Sequence, residues 1–319
     1  MQHRLYLKPE ELSSPRRFRG RHVTAGAAVL ACVILSFLLH GKLQAQSESS
    51  PRGQLAIAEG SSTFAPPLIP IGTTTAPPQA VSAGYKTLAF DDEFNLLNLA
   101  PSPISSANHN WYPGMWFEYP APPSSLISMT LSALNLEWSQ TSTHATGLTD
   151  TTVSGESANG SAGKSFRYGY FEASMKWNPT TGAWPAFWMM PVQATQGAQN
   201  TGEIDIFEGQ GGTNEYYGTL HTWNGASQTW YSSPNNFSLP RSNNFNAWHT
   251  YGVLWTPGKV AWYYDNVKVG SAATTAIFDQ QNFFLVFSMQ EGANWTAGSL
   301  SGVTASTMNL YVDWVHVWQ

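Results

Sequence analysis

A single cysteine among 319 residues leaves no disulfide framework, no thiolate zinc site and no CxxC redox motif to consider. That residue, Cys32, lies in an apolar run, which removes a catalytic thiol as well. Charge is scarce too: 11% of residues are Asp, Glu, Lys or Arg, and the net charge is −5. The scarcity is uneven. Residues 1–84 carry eight Lys and Arg against four Asp and Glu, whereas residues 85–319 carry seven against sixteen. Phosphate binding needs clustered cations to release counterions, so nucleic acid is excluded as a partner. Beyond Tyr85 no segment shows the apolar spacing of an amphipathic helix, and no internal repeat is evident.

What the chain does have is tryptophan, 14 residues, all beyond position 84. An acidic, cation-poor and indole-rich stretch suits a neutral, flat-faced ligand such as a sugar ring. Ahead of it, Arg16, Arg17, Arg19 and Arg21 precede an apolar run from Val23 to Leu39, followed by Leu43-Gln44-Ala45 as a small-residue cleavage pattern. The run is longer than a usual signal core and shorter than a full span. Residues 1–45 are therefore read as a signal peptide or a signal anchor. Either places the remainder outside: secreted, periplasmic, or held at the membrane only through this segment. Residues 46–84, rich in Pro, Ser and Thr, read as a linker with too few large apolar side chains to fold.

Residues 85–319 form the folded domain, expected as a monomer. Short runs of β-branched and aromatic residues, punctuated by Gly, Asn, Ser and Pro, predict strands over 164–177, 203–208, 216–222, 249–255, 260–264, 283–290 and 308–318. Asp265-Asn266 predicts a hairpin turn. The fold class expected is all-β, a two-sheet sandwich of the jelly-roll kind. Trp177, Trp255, Trp262, Trp314 and Trp318 sit in apolar strand patterns and read as core. Trp111, Trp116, Trp223 and Trp295 lie in loop-like contexts that suit either packing or a sugar platform. His109, His144, His249 and His316 show no metal-ligand spacing and read as structural or solvated.

The segment Gly202-Glu203-Ile204-Asp205-Ile206-Phe207-Glu208-Gly209 places three carboxylates within six residues. On a regular strand Glu203 and Asp205 share one face with Ile204 and Ile206 on the other, and Glu208 joins the isoleucines, a severe burial cost. A one-residue bulge near Ile206-Phe207 returns Glu208 to the carboxylate face. The two glutamates then act as if four positions apart, about 13 Å at Cα, and side chains leaning together narrow this to the roughly 5–5.5 Å of a retaining glycosidase pair. Such chemistry requires one ionised Glu to attack the anomeric carbon, one protonated Glu to release the leaving sugar, and an Asp between them. Taken alone, the motif also suits an exposed edge strand or a calcium site.

The motif resembles that of glycoside hydrolase family 16 in its bulged, laminarinase-like form, and so do its surroundings. Phe90-Asp91-Asp92-Glu93-Phe94-Asn95, Tyr168 to Lys176, Gly182 to Pro191, Gly218-Thr219-Leu220-His221, Trp248 to Pro257 and Tyr311 to Trp318 follow the family's order across about residues 88–318. The resemblance implies a concanavalin A-like jelly roll with a concave cleft, Glu203 as nucleophile, Asp205 as its helper and Glu208 as general acid/base. It also implies sugar-binding roles for Trp184 and Trp188, a cleft position for His221, and a structural calcium at Glu93 and Asp313; no cofactor is required for catalysis. Two stretches depart from the pattern. Ser288 and Gln290 stand where the family often has Asn and Ala, and alternation turns both toward the cleft. Residues 109–118, including Trp116, are not the usual sequence for the cleft's far end; Gln290 and Trp116 join the substrate-binding candidates. The function expected is endo-acting, retaining hydrolysis of a neutral polysaccharide, a β-1,3- or mixed-linked β-1,3-1,4-glucan. The alternatives are a lectin-like binder on the same sandwich, a transglycosylase, or a galactan hydrolase.

Overall fold

The computed structural model describes residues 75–118, 121–139, 151–213, 215–224, 227–238, 245–293, 296–297, 303 and 306–319. The apolar run at 23–39, Cys32, His144, Trp295 and residues 46–74 of the linker lie outside the described residues. Among the described residues, no helix is long and apolar enough to cross a membrane.

In chain order the strands are β1 (Leu88–Asp92), β2 (Tyr112–Pro113), β3 (Ile127–Thr130), β4 (Ala133–Ser139), β5 (Thr151–Ser154), β6 (Gly169–Trp177), β7 (Ala183–Pro191), β8 (Asn200–Gly209), β9 (Glu215–Asn224), β10 (Ser227–Ser238), β11 (His249–Thr256), β12 (Lys259–Tyr264), β13 (Val267–Ala273), β14 (Phe283–Ala293), β15 (Thr296–Ala297) and β16 (Thr307–Trp318). Short helices α1 (Pro78–Ser82), α2 (Val192–Thr195) and α3 (Ala276–Asp279) join them. The first sheet runs β13-β12-β11-β6-β16-β4-β3 with β1 on β16, and the second runs β10-β9-β8-β7-β14-β5-β2 with β15 on β14. Their paired strands are antiparallel, as a jelly-roll sandwich requires.

Alternation decides which residues meet between the sheets. From β6 come Phe171, Ala173, Met175 and Trp177, from β14 Phe283, Leu285, Phe287 and Met289, and from β11 and β12 Tyr251, Val253, Trp255 and Trp262, all in one buried cluster. Rings interlock within it: Phe187 stacks on Phe287 at 4.6 Å, and Trp255 meets Phe283 edge-on at 5.1 Å. The Asp265-Asn266 turn forms as expected, with φ of 46° and 64° at the two positions, the left-handed pair that a two-residue hairpin demands.

β8 carries the predicted bulge. Phe187 pairs with Phe207 and Trp188 with Asp205, so Ile206 is the extra residue; on the other side the register jumps from Asp205–Thr219 to Glu208–Tyr217. Ile206 and Phe207 consequently both enter the core, and Glu208 regains the outer face. At the register shift the Asp205 carbonyl accepts a 2.7 Å hydrogen bond from Nε1 of Trp262, which reaches across from the first sheet. The indole lies against Gly218, where any Cβ would sit 2.3 Å from its ring atoms.

Several expectations need correction. Trp314, read as core, is half-buried: Asp313 is an extra residue in β16, and the shift turns Trp314 to the sheet's outer face, stacked on His316 at 4.3 Å. Trp318 is buried, but beneath α1 beside Ala80 and Tyr170, on that same outer face. Residues 78–82 lie within the stretch read as linker yet form α1, so the packed chain begins before Tyr85. Trp111 resolves as packing: it is fully buried and donates to Asp92 Oδ2 at 2.9 Å.

Trp262→Phe strands a buried carbonyl and is expected to cost about 1–3 kcal/mol in denaturant unfolding. Gly218→Ala, forcing an indole to move, is expected to cost a similar ~1–3 kcal/mol.

Candidate active site

The outer face of the second sheet gathers the predicted residues. Glu203 and Asp205 are buried on β8, at 8% and 4% exposure, and Glu208 is half-buried. On β9, His221 pairs with Glu203 in register and sets Nε2 2.9 Å from Asp205 Oδ2. On β7, Trp188 pairs with Asp205, and Trp184 stands two residues beyond the partner of Glu208, a diagonal within reach of a large side chain. Trp184 donates to Glu208 Oε1 at 2.9 Å, and Trp188 donates to Ser288 Oγ at 3.2 Å. Gly292 leaves room for the Trp184 ring, which a Cβ there would meet at 2.5 Å. Gln290 on β14 sits directly across from Trp184, half-buried.

Trp116 joins the site by another route. It follows β2, half-buried, and packs with Trp188 in a small apolar cluster of Met115, Met190, Ala194, Phe284 and Val286. Glu118, 4% exposed, fixes this loop by accepting from the Met115 amide and from Thr152 Oγ1, each at 3.0 Å. Glu93 and Asp313 are elsewhere, at the first sheet. Glu93 Oε1 lies 2.7 Å from His316 Nε2, and burial together with the Glu93 charge holds the Asp313 carboxyl above its usual range.

Two partners of the acidic residues, one at a carboxylate and one at a backbone carbonyl, were not legible in the sequence. Trp223 donates to Glu203 Oε2 at 2.7 Å from a loop-like sequence context that is in fact strand. The signal available was its spacing, two residues after His221 and so on the same face. Trp262, read correctly as core, also holds the Asp205 carbonyl, a contact between residues 57 apart that no local pattern announces.

Electrostatically the array is crowded and dry. Burial pushes Glu203 up to about 8, assisted by the Asp205 charge, while His221 and the Trp223 hydrogen bond pull it back. Asp205 is raised by burial and lowered by its hydrogen bond with Glu203. Glu208 is raised well above the usual range by burial and by the Asp205 charge, against His221 and Trp184. Burial and mutual repulsion therefore oppose ionisation of all three carboxyls together, the condition under which one can donate a proton while another attacks. Among the described residues, Glu203, Asp205 and His221 also form a group whose ligand atoms lie within 4.8 Å of one another. No strand of the second sheet contains Lys or Arg, and among the described residues hydrogen-bonding indoles and His221 offset the negative charge.

Fold and site together define a jelly-roll sandwich with a bulged carboxylate trio on one sheet. The chain belongs to glycosyl hydrolases family 16, whose model matches residues 129–315. It is 31% identical over 136 residues to an endo-1,3-1,4-beta-glycanase, ExsH, of Rhizobium meliloti (strain 1021), covering 42% of this chain and 26% of that protein. It is 30% identical over 163 residues to a keratan-sulfate endo-1,4-beta-galactosidase of Sphingobacterium multivorum, covering 49% of this chain and 37% of that protein. The chain thus spans well under half the length of these curated relatives. The catalytic domain of an endo-1,3-beta-glucanase (laminarinase) from Thermotoga petrophila RKU-1 superposes with a TM-score of 0.57 at 20% identity, over 73% of this chain and 97% of that one.

The raised Glu203 carboxyl makes a stability prediction. Its folded-state value of about 8 exceeds the ordinary 4.5, so stability present below pH 4.5 is lost as pH rises toward 8. Glu203→Gln, which keeps the neutral form, is expected to raise Tm at pH 8, by ~2–4 °C per kcal/mol relieved, and to leave it unchanged near pH 4. Thermal scans at the two pH values check this.

Proposed function

We propose that the protein is an exported, endo-acting retaining glycoside hydrolase of a neutral β-glucan, β-1,3- or mixed-linked β-1,3-1,4-. The observation that carries the reading is the bulged carboxylate trio of β8 with an indole N–H on each glutamate. In this mechanism Glu203 attacks the anomeric carbon while Glu208 gives its proton to the departing glycosidic oxygen. Water then cleaves the glycosyl ester with Glu208 taking the proton back. Asp205, between the two and beside His221, holds the proton balance of the pair. Trp184 and Trp188 offer ring faces to the apolar side of a pyranose, with Gln290 and Trp116 along the same face. A lectin gains nothing from three crowded carboxyls, which favours the enzyme over the binder.

The neutral substrate is supported by the absence of Lys and Arg from the second sheet, since a sulfate group calls for a cation. A sulfated galactan is the competing substrate, favoured by the likeness to the keratan-sulfate galactosidase. Reducing-sugar release across laminarin, mixed-linked glucan, agarose, carrageenan and keratan sulfate separates the two. Laminarin or mixed-linked glucan is expected to be cleaved; cleavage confined to the galactans overturns the substrate assignment. Glu208→Gln is expected to lose about 10²–10⁴ in rate on natural substrate. The roles are read from azide rescue on an activated aryl β-glycoside: Glu208→Ala yields the β-glycosyl azide and Glu203→Ala the α-glycosyl azide. The opposite pattern reverses the assignments.

Glu93 and Asp313 supply oxygen donors of the kind a hard cation takes, and the repulsion Asp313 feels from Glu93 is what such an ion relieves. Calcium bound there is proposed to brace β16 and has no part in the chemistry. A chelator is expected to lower Tm with added calcium restoring it, and Glu93→Gln to abolish that response.

A further inference from the structure

The two glutamates of β8 are held alike from opposite sides. Trp184 on β7 reaches Glu208 from two residues beyond that residue's register partner, and Trp223 on β9 reaches Glu203 from two residues beyond His221, the partner of Glu203. Trp184 has a place as a sugar platform. Trp223, which the mechanism above leaves without a role, makes the shorter hydrogen bond of the two, 2.7 Å against 2.9 Å. It is half-buried and donates to one named oxygen of the carboxylate. A charge-assisted contact of this length fixes the side chain's rotation as well as stabilising its charge.

We infer that Trp223 is a positioning residue for the displacement at the anomeric carbon: its indole N–H holds Oε2 of Glu203, so that Oε1 is the attacking oxygen and Oε2 becomes the carbonyl oxygen of the glycosyl ester. The inference rests on the hydrolase reading above. In the first step the Oε1–C1 bond forms as the C1–O bond to the leaving sugar breaks, and the proton of Glu208 goes to that oxygen. In the second, a water oxygen bonds to C1 as C1–Oε1 breaks; the water proton goes to Glu208 and the electron pair returns to the Glu203 carboxylate. Negative charge on Oε2 therefore falls in the first step and returns in the second. A donor already in place where charge reappears favours the transition state of ester cleavage. The same donor favours the ionised form of the free carboxyl, so its removal makes Glu203 harder to ionise.

The test uses the full chain with 2,4-dinitrophenyl β-laminaribioside, whose good leaving group makes ester cleavage limiting. Two replacements of Trp223 are compared with wild type: Trp223→Phe, and benzothienylalanine, which keeps the bicyclic shape and lacks the N–H. Both are expected to slow deglycosylation by about ten- to hundredfold, the size of a hydrogen bond to a charged acceptor. The kinetic signature is a burst of dinitrophenol, kcat and KM falling together, and a glycosyl peptide at Glu203 seen by mass spectrometry. The acid limb of the kcat/KM profile is expected to move up by about one pH unit. A residue that merely packs would raise KM, or lower Tm, and leave burst and pH limb where they were. If the benzothienyl variant matches wild type in both, the inference is wrong while the hydrolase reading stands. If wild type itself releases no dinitrophenol and no sugar from any glycan, both fall together.

Discussion

The hydrogen bond from Trp262 to the Asp205 carbonyl is where the two sheets and the site become one problem. A bulge costs a strand its regular ladder, and at the register shift in β8 the Asp205 carbonyl is satisfied by an indole threaded from the opposite sheet. That indole fits because β9 has glycine at 218. With the shift secured, Ile206 and Phe207 both fill the core, and Glu208 stands with Glu203 and Asp205 instead of beneath them. Remove the shift and the choice is a buried, unpaired carboxylate or a different strand.

The strands that carry the site contain no Lys or Arg. Where many acidic sites neutralise their charge with Lys or Arg, the described contacts here are indole N–H donors and His221, and burial raises all three carboxyls. Such donors lower a carboxylate's energy without forming a competing anion site. The array is costly to folding and suited to chemistry that needs one carboxyl protonated and its neighbour ionised at the same pH.

Much of this could be read from the residues. Alternation through Glu203-Ile204-Asp205 predicted the bulge because the regular strand put Glu208 in the core, and the core of aromatic strands followed from the same two-residue period. The hairpin at Asp265-Asn266 was legible because few residues accept its backbone angles. What escaped depends on register. The extra residue at Asp313 reverses the alternation behind it, and so Trp314 faces outward although its neighbours read as core. Trp223 escaped because Gly and Asn nearby suggested a loop, where pairing with β8 and β10 makes a strand. The α1 segment escaped because five residues with one buried alanine carry almost no periodicity; its place is set by Tyr170 and Trp318 beneath it.

The topology of the first sheet bears on how the chain is assembled. β16 lies between β6 and β4 and is also the partner of β1, and Thr87 and Gln319 exchange two backbone hydrogen bonds of 2.9 Å. Without residues 307–318 that sheet is left in three pieces, β13-β12-β11-β6, β4-β3 and an unpaired β1, while strands of the second sheet are already available to pair. A nascent chain can therefore bring its carboxylates together before the sheet behind them closes. The Trp262 anchor stays provisional until β16 is in place, and the exposed edges of the waiting pieces are where a stalled or truncated chain would aggregate.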